Sequence, residues 1–153
     1  TGVRIALSVV RTIAQVLKLP IRCVTSLDVL AFQVSPQLKP FPVMLNCTRQ
    51  EVFWAWFQFN ENGFPEMTSD IELSELKSLP DAVLENPVHL LQLGQRRDSE
   101  LAKLEKIILQ YPVPDAWMIY QAAHLGQVKE LPIEHVQPLY LKKDVQTKSS
   151  IRK

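Results

Sequence analysis

The chain has 153 residues, 46% of them hydrophobic, and its 17 basic and 16 acidic side chains give a net charge of +1. A chain of this length buries roughly 70% of the surface that its unfolded form exposes, which suits one globular domain or two small interlocked lobes. The near-neutral charge excludes the strong basic bias of a protein that grips nucleic acid through its phosphates, so we expect any RNA contact to be local or supplied by a partner.

A helix is predicted from Val3 to Leu19. Its polar residues recur at alternating spacings of four and three, which places them on one stripe of a helix, and nearly all its other residues are apolar. Such a stripe covers only about a third of the circumference, so two further faces need cover. The pattern alone leaves open whether the same lobe or another subunit supplies it. The polar stripe comprises Arg4, Ser8, Arg11, Gln15 and Lys18.

A short strand and a second helix are predicted next. Pro20 ends the first helix, and residues 21–25 form an apolar run that is typical of a buried strand. Ser26 is the expected N-cap of a helix that ends near Phe32, because serine side chains satisfy free N–H groups at helix starts. The prolines that follow predict a linker over residues 36–42.

A β-hairpin is predicted from the runs 43–47 and 51–59, which are rich in β-branched and aromatic residues and flank a polar turn. Both faces of the second strand are apolar, so we expect a central strand covered on both sides. Its aromatic residues are then core and not a platform for bases. The two cysteines, Cys23 and Cys47, lie in predicted strands and are expected to be buried free thiols.

The C-terminal half is predicted to contain shorter elements. Ser69 followed by Glu72 is the capping-box pattern of a short helix that ends near Lys77. The later predictions are a strand at 88–93, an exposed helix or loop at 96–106, a helix at 115–125 closed by Gly126, an extended segment at 132–141 and a frayed polar tail.

Catalytic and metal-binding motifs do not emerge from the sequence. His89, His124 and His135 are scattered, so they lack the spacing of a metal site. No Gly-x-Ser-x-Gly elbow or Cys/His signature occurs. Glu134 and its neighbour His135 would point to opposite faces of an extended segment, so they are not expected to cooperate. We therefore predict no catalytic residue, no metal and no cofactor.

The location is predicted from what the sequence does not contain. No run approaches the roughly 20 apolar residues of a membrane-spanning helix, and no charged region followed by an apolar core marks a signal peptide. We expect a cytoplasmic protein with no membrane partner. The first residue is Thr1 rather than methionine, and a helical pattern starts at once, so we expect the natural chain to begin upstream.

Three short motifs lie in the order found in one known family. They are TGVRI at 1–5 with LP at 19–20 and VTSL at 24–27, then EVFWA at 51–55, then EHVQPLYLK at 134–142. Together they resemble the TsaB/YeaZ family from its glycine-rich loop to its C-terminal signature. The hairpin turn departs from the family's Asp-Ala-Arg-x-Gly pattern, because Asn46, Thr48 and Gln50 stand at the acid, arginine and glycine positions, although Arg49 lies one residue along.

The resemblance implies an α/β fold of the actin-like, ribonuclease H-like (ASKHA) type, with an incomplete first lobe and a smaller second lobe. Residues 1–34 would be the remnant of the first lobe, residues 35–131 the second α/β lobe, and residues 132–153 a C-terminal extended segment and tail. The implied function is a non-catalytic scaffold subunit of the complex that makes threonylcarbamoyladenosine on tRNA. The implied partners are a TsaD-like catalytic paralogue, a TsaE-like ATPase and a second copy of the chain, with tRNA reached only through the complex.

The resemblance also selects another subunit as the cover for the first helix, which in TsaB relatives contributes to a helical bundle. We predict that the partner-binding flank is the ridge of Ile5, Val9, Thr12 and Val16. The opposite flank of Val3, Leu7, Val10, Ala14 and Leu17 would lie toward the sheet, with Ala6 and Ile13 beneath it.

Two enzymatic functions are alternatives to the scaffold function. One is a TsaD-like, metal-dependent threonylcarbamoyl transferase or a glycoprotease-type enzyme. The other is an actin-fold sugar or acetate kinase, which is disfavoured because no second glycine-rich loop follows residue 40. The C-terminal run Pro138-Leu139-Tyr140-Leu141 resembles TsaB and not TsaD, so the scaffold is preferred.

Overall fold

The computed structural model describes residues 2–48, 50–91, 108–111, 114–126 and 128–139. Within these ranges the chain forms an α/β fold around a mixed sheet. The helices are α1 (Gly2–Leu17), α2 (Ser26–Ala31), α3 (Asp81–Leu84) and α4 (Ala116–Leu125), with 3-10 turns at Leu76–Ser78 and Ile133–His135. The strands are β1 (Ile21–Arg22), β2 (Phe41–Asn46), β3 (Glu51–Phe59), β4 (Pro65–Met67), β5 (Glu72–Glu75), β6 (Val88–Leu91), β7 (Ile108–Tyr111) and β8 (Glu130–Leu131).

The predicted hairpin is confirmed as the centre of the main sheet. Strands β2 and β3 are antiparallel, with Phe41 opposite Phe57 and Asn46 opposite Val52. The strand order is β4-β3-β2-β6-β7, and β5 also pairs with β3. The β2–β6 and β6–β7 pairs are parallel, so two segments far apart in sequence extend the hairpin on one side.

Strand β3 is covered on both faces, as predicted. On one face Ala55 and Phe57 pack with Leu30 of α2, in a cluster that also contains Phe41 and Val43. On the other face the strand packs against the segment around α3 through a second cluster of buried residues. Since alternate residues of a strand point to opposite faces, one nine-residue strand supplies both cores. The second cluster consists of Met44, Val52, Trp54, Leu76, Leu79, Val83, Val88 and Leu90.

The prediction of a helix after Ser69 was wrong, because this segment forms strand β5 instead. Residues Glu72–Glu75 pair antiparallel with the first half of β3. The Ser69 hydroxyl oxygen does not cap a helix but accepts a hydrogen bond from the Trp56 backbone N–H at 2.9 Å. The indole Nε1 of Trp54 donates to Ser74 Oγ at 3.0 Å. The open edge of β3 thus offers this segment backbone partners that outweigh its local capping pattern.

The strand predicted at 21–25 is shorter and less buried than expected. Only Ile21–Arg22 is a strand, paired antiparallel with β8, and Cys23 is exposed rather than buried. The segment predicted to be extended from 132 contains the 3-10 turn Ile133–His135, so that part of the prediction was also wrong. Strand β4 was not predicted. The predictions for 96–106 and for the tail fall outside the described residues.

The predicted helix ends are confirmed to within a residue or two. Asp115 caps α4 by accepting from the Met118 N–H at 2.9 Å, and Gly126 closes this helix. A Cβ at Gly126 would lie 3.2 Å from the Phe32 ring, so glycine permits the close approach of α4 to the end of α2. Thr25, not Ser26, is the N-cap of α2.

Candidate protein interface on the first helix

Helix α1 is attached to the rest of the protein along a narrow strip. Ala14, which is 4% exposed, is the only buried residue in the helix, and Leu7 is half-buried beside it. The two side chains pack with Ile21, Ile133 and Val136, so the strip rests on β1 and the C-terminal segment. This small cluster is separate from the two clusters of the main sheet.

The prediction for the sheet-facing flank was largely wrong. Leu7 and Ala14 do face the protein, but Val3, Val10 and Leu17 of the same predicted flank are exposed. Ile13 and Ala6, expected beneath that flank, are exposed as well. Among the described residues, α1 packs on the short β1 and C-terminal segments, which are too narrow to cover a whole helix flank.

The predicted partner flank also lies uncovered. Val16 is 74% exposed, Ile5 61% and Val9 52%. Thr12 is exposed, and its hydroxyl donates to the Ser8 carbonyl oxygen at 2.9 Å, so its polar atom is satisfied within the helix. The binding of a partner by this flank is not tested by its exposure and stays a prediction.

Together the two flanks form one exposed apolar face of α1. It includes Val3, Ile5, Val9, Val10, Ile13, Val16 and Leu17. Single exposed apolar residues are ordinary on protein surfaces, whereas a contiguous apolar surface of this kind marks an interaction site. The face is convex, helical and without a buried polar atom, so it is suited to packing against other helices and not to holding a small molecule.

The polar stripe of α1 borders a groove beside the C-terminal segment. The groove has a volume of about 210 Å3 and is lined on one side by Arg4, Leu7, Ser8 and Arg11, and on the other by Val136, Gln137 and Pro138. The Ser8 hydroxyl donates to the Arg4 carbonyl oxygen at 3.0 Å. The two arginines of the stripe therefore lie beside the C-terminal segment, next to the strip of α1 that contains Leu7 and Ala14.

A second exposed group, on α4, was missed by the sequence analysis. The rings of Trp117 and Tyr120 stack at 5.3 Å between centroids, and Tyr120 stacks on His124 at the same distance. Trp117 is 63% exposed and Tyr120 52%. Their spacing of three and four residues could have revealed this aromatic row before the structure did.

The polar residues considered in the sequence analysis lie in different surroundings in the described ranges. His89 is buried in β6, and its ring meets the Phe41 ring edge-on at 5.3 Å. Burial lowers the pKa of His89 below its ordinary value. Glu134 and His135 lie in a 3-10 turn and are both exposed. Among the residues that the structure describes, no three His, Cys, Asp or Glu side chains lie close enough to hold a metal ion.

Comparison with known proteins finds similarity in fold. No family model and no curated protein sequence matches the chain. A protein from Pseudomonas aeruginosa, described as uncharacterized with similarity to peptidase YEAZ, superposes with a TM-score of 0.69 at 19% identity, over 93% of this chain and 68% of that one. YeaZ from Pseudomonas aeruginosa superposes with a TM-score of 0.66 at 19% identity, over 92% of this chain and 68% of its own. The chain has the YeaZ fold.

The likeness to YeaZ confirms the resemblance that the three sequence motifs indicated, at the level of the fold. The α/β class with a mixed sheet is confirmed with it. Within the described ranges, no helix is both long enough and apolar enough to cross a bilayer.

Proposed function

We propose that this chain is a non-catalytic scaffold subunit of the complex that makes threonylcarbamoyladenosine on tRNA, and that it supports a TsaD-like transferase. The observation that carries the proposal is the exposed apolar face of α1 on a YeaZ-like fold. A helix face of this size is costly to leave in water, so burying it against a partner is favourable.

The proposed architecture and partners follow from the same resemblance. The fold would be of the actin-like, ribonuclease H-like type, and the first helix would belong to a bundle shared with the partner. A TsaE-like ATPase and a second copy of the chain are the other proposed contacts. Transfer RNA would be reached through the complex, in the cytoplasm.

Reconstitution tests this function directly. The TsaD-like, TsaE-like and threonylcarbamoyl-AMP-forming proteins of the same organism are combined with tRNA and ATP, with and without this chain, and the modified nucleoside is measured by mass spectrometry. We expect modification only when the chain is present. The chain alone should neither hydrolyse ATP nor transfer a carbamoyl group. Full modification without it, or turnover by the pure chain, would contradict the scaffold role.

The glycoprotease-type alternative has one observation in its favour, since one structural neighbour is described by its similarity to a peptidase. A fluorescently labelled glycoprotein is incubated with the pure chain to test it. Cleavage above the rate of a buffer control would favour this alternative, and an intact substrate would favour the scaffold.

A further inference from the structure

The groove between α1 and residues 136–138 lies on the opposite side of the helix from the exposed apolar face. At about 100° per residue, Arg11 in this groove stands roughly 160° around the helix axis from Val9. The apolar part of the groove includes Leu7 and Val136, which pack in the small cluster beneath α1. A ligand in the groove would therefore leave the apolar face of α1 free.

Arg11 is a half-buried cation to which the described part of the chain gives no partner. Its guanidinium group makes no hydrogen bond or ion pair with the residues that the structure describes, and none of the described residues that line the groove is acidic. Arg4, which also lines the groove, has an interaction of its own. A charge that is partly removed from water without a counter-ion is unfavourable. An anion beside Arg11 would offset this cost.

The other residues of the groove indicate what kind of anion fits. Arg11 holds a carboxylate well, because a guanidinium group donates two parallel hydrogen bonds to its two oxygens. The exposed Gln137 amide is a further donor at the opposite wall. The side chains of Leu7, Val136 and Pro138 offer apolar contacts to methylene groups. The lining thus matches a carboxylate that is carried on a short apolar stem.

The size of the groove limits the ligand further. Its volume is about 210 Å3, whereas pockets for drug-sized molecules and cofactors have roughly 300–1,000 Å3. The groove therefore suits one protruding side chain better than a whole cofactor. A nucleic-acid backbone would present a row of phosphates, which are bound by several cations together and gain nothing from an apolar wall.

We propose that the groove between α1 and residues 136–138 binds a glutamate side chain of another protein. The carboxylate lies on Arg11, and the methylene groups lie against Leu7 and Pro138. This contact site goes beyond the proposed scaffold function, which uses the other side of the helix. Both sides of α1 can then be occupied at once.

Two peptides test the groove, Gly-Glu-Gly and Gly-Gln-Gly, each acetylated and amidated at its ends. Their binding to the full chain is followed by NMR, through the Arg11 side-chain Nε–H signal and the backbone amides of Val136 and Gln137. We expect the Glu peptide to bind with a Kd on the order of 1 mM, and the Gln peptide at least about ten-fold more weakly, at roughly 50 mM salt. Equal binding of the two peptides, or no binding of the Glu peptide, overturns the proposal. Tighter binding of inorganic phosphate than of the Glu peptide overturns it as well.

Variants locate the binding on Arg11. Arg11→Gln should weaken binding of the Glu peptide at least about five-fold, and Arg11→Lys should restore part of it, because lysine keeps the charge but not the paired hydrogen bonds. The matched control Lys39→Gln, in the exposed loop before β2, should bind like the wild-type chain. Circular dichroism establishes that each variant is folded. Unchanged binding in Arg11→Gln would contradict the proposal.

A variant on the other side of α1 separates the groove from the proposed interface. Val9→Asp lies far around the helix from Arg11, so the Glu peptide should bind it within about two-fold of the wild-type affinity. If Val9→Asp abolishes peptide binding, the peptide lies on the apolar face and the assignment to the groove is overturned. The proposed scaffold function is measured separately, by association with a TsaD-like paralogue.

Discussion

Val9 lies near the middle of the exposed face of α1, with 52% of its surface in water. In the free chain a carboxylate at this position remains solvated, so Val9→Asp should leave the fold intact. In a complex the same carboxylate is desolvated without a partner, at a cost of several kcal/mol. We expect the variant to lose association with a TsaD-like paralogue, measured by light scattering of the mixture.

The matched control for Val9→Asp is Leu38→Asp, which places the same charge on an apolar residue that is 97% exposed in the loop before β2. This variant should associate like the wild-type chain. The variant Val10→Asp places the same charge on the other flank of α1, for comparison with Val9→Asp. If Val10→Asp alone prevents association while the variant at Val9 assembles normally, the interface lies on the flank of Val10 and not on the predicted ridge.

His89 makes stability depend on pH. It is 4% exposed, and burial lowers its pKa in the folded state below the ordinary value of 6.5. Between these two pKa values the unfolded chain binds the proton and the folded chain does not, so the free energy of unfolding falls as the pH drops below about 6.5. Urea denaturation at pH values from 5 to 8 should show this loss.

The contribution of His89 is isolated with His89→Gln, which cannot titrate. The variant should be less stable at neutral pH, because it places an amide at a buried site, but its stability should change less between pH 7 and pH 5 than that of the wild-type chain. An identical pH dependence in the two proteins would show that other groups cause it.

At the scale of elements, α2 depends on its capping box. The Thr25 hydroxyl accepts from the Asp28 N–H at 3.1 Å, and the Asp28 carboxylate accepts from the Thr25 N–H at 2.7 Å. Thr25→Ala removes the first bond and should lower the free energy of unfolding by about 1 kcal/mol, measured by urea denaturation. Ser26→Ala, one residue along at an exposed position, is the control and should cost little.

The two capping-box patterns in this chain show what local sequence could predict. Thr25 and Asp28 form a real cap because the helix they start buries Leu27 and Leu30 against the main sheet. Ser69 and Glu72 have an equivalent spacing, yet their segment pairs with β3. A local pattern predicts an element only when tertiary packing agrees with it, and the open edge of β3 is not visible in the sequence.

The pairing of strands that are neighbours in sequence was easier to predict than the pairing of distant strands. The β2–β3 hairpin was predicted because its strands are joined by a short turn and carry a clear β pattern. The parallel pairing of β2 with β6 was not predicted. It joins segments more than 40 residues apart, and no short turn between them indicates the register. The pattern of α1 correctly indicated that more than one face lacked cover. It could not indicate which face rests on Ile133 and Val136, at the other end of the chain.

Over the whole molecule, buried contacts are distributed unevenly. Counting described residues alone, the two clusters on either side of β3 each contain eight buried residues, whereas the cluster beneath α1 contains Ala14, Ile21 and Val136. Regions with few buried apolar contacts open locally at a lower free energy than the core. Helix α1 is therefore expected to be the less stable part, although it is the longest helix among the described residues.

Hydrogen exchange followed by mass spectrometry measures this difference. In the free chain, the amides of α1 should exchange at least about a hundred-fold faster than those of β3, because the attachment of α1 within the described ranges is the narrow one that Leu7 and Ala14 make to Ile21, Ile133 and Val136. Adding a TsaD-like paralogue should slow exchange in α1, since opening would then also break the partner contacts, and should leave β3 unchanged as the internal control. Protection of α1 equal to that of β3 in the free chain would show that the helix is already well covered. Such a result would remove the physical reason for assigning it a partner, since a stably held helix gains little order from binding.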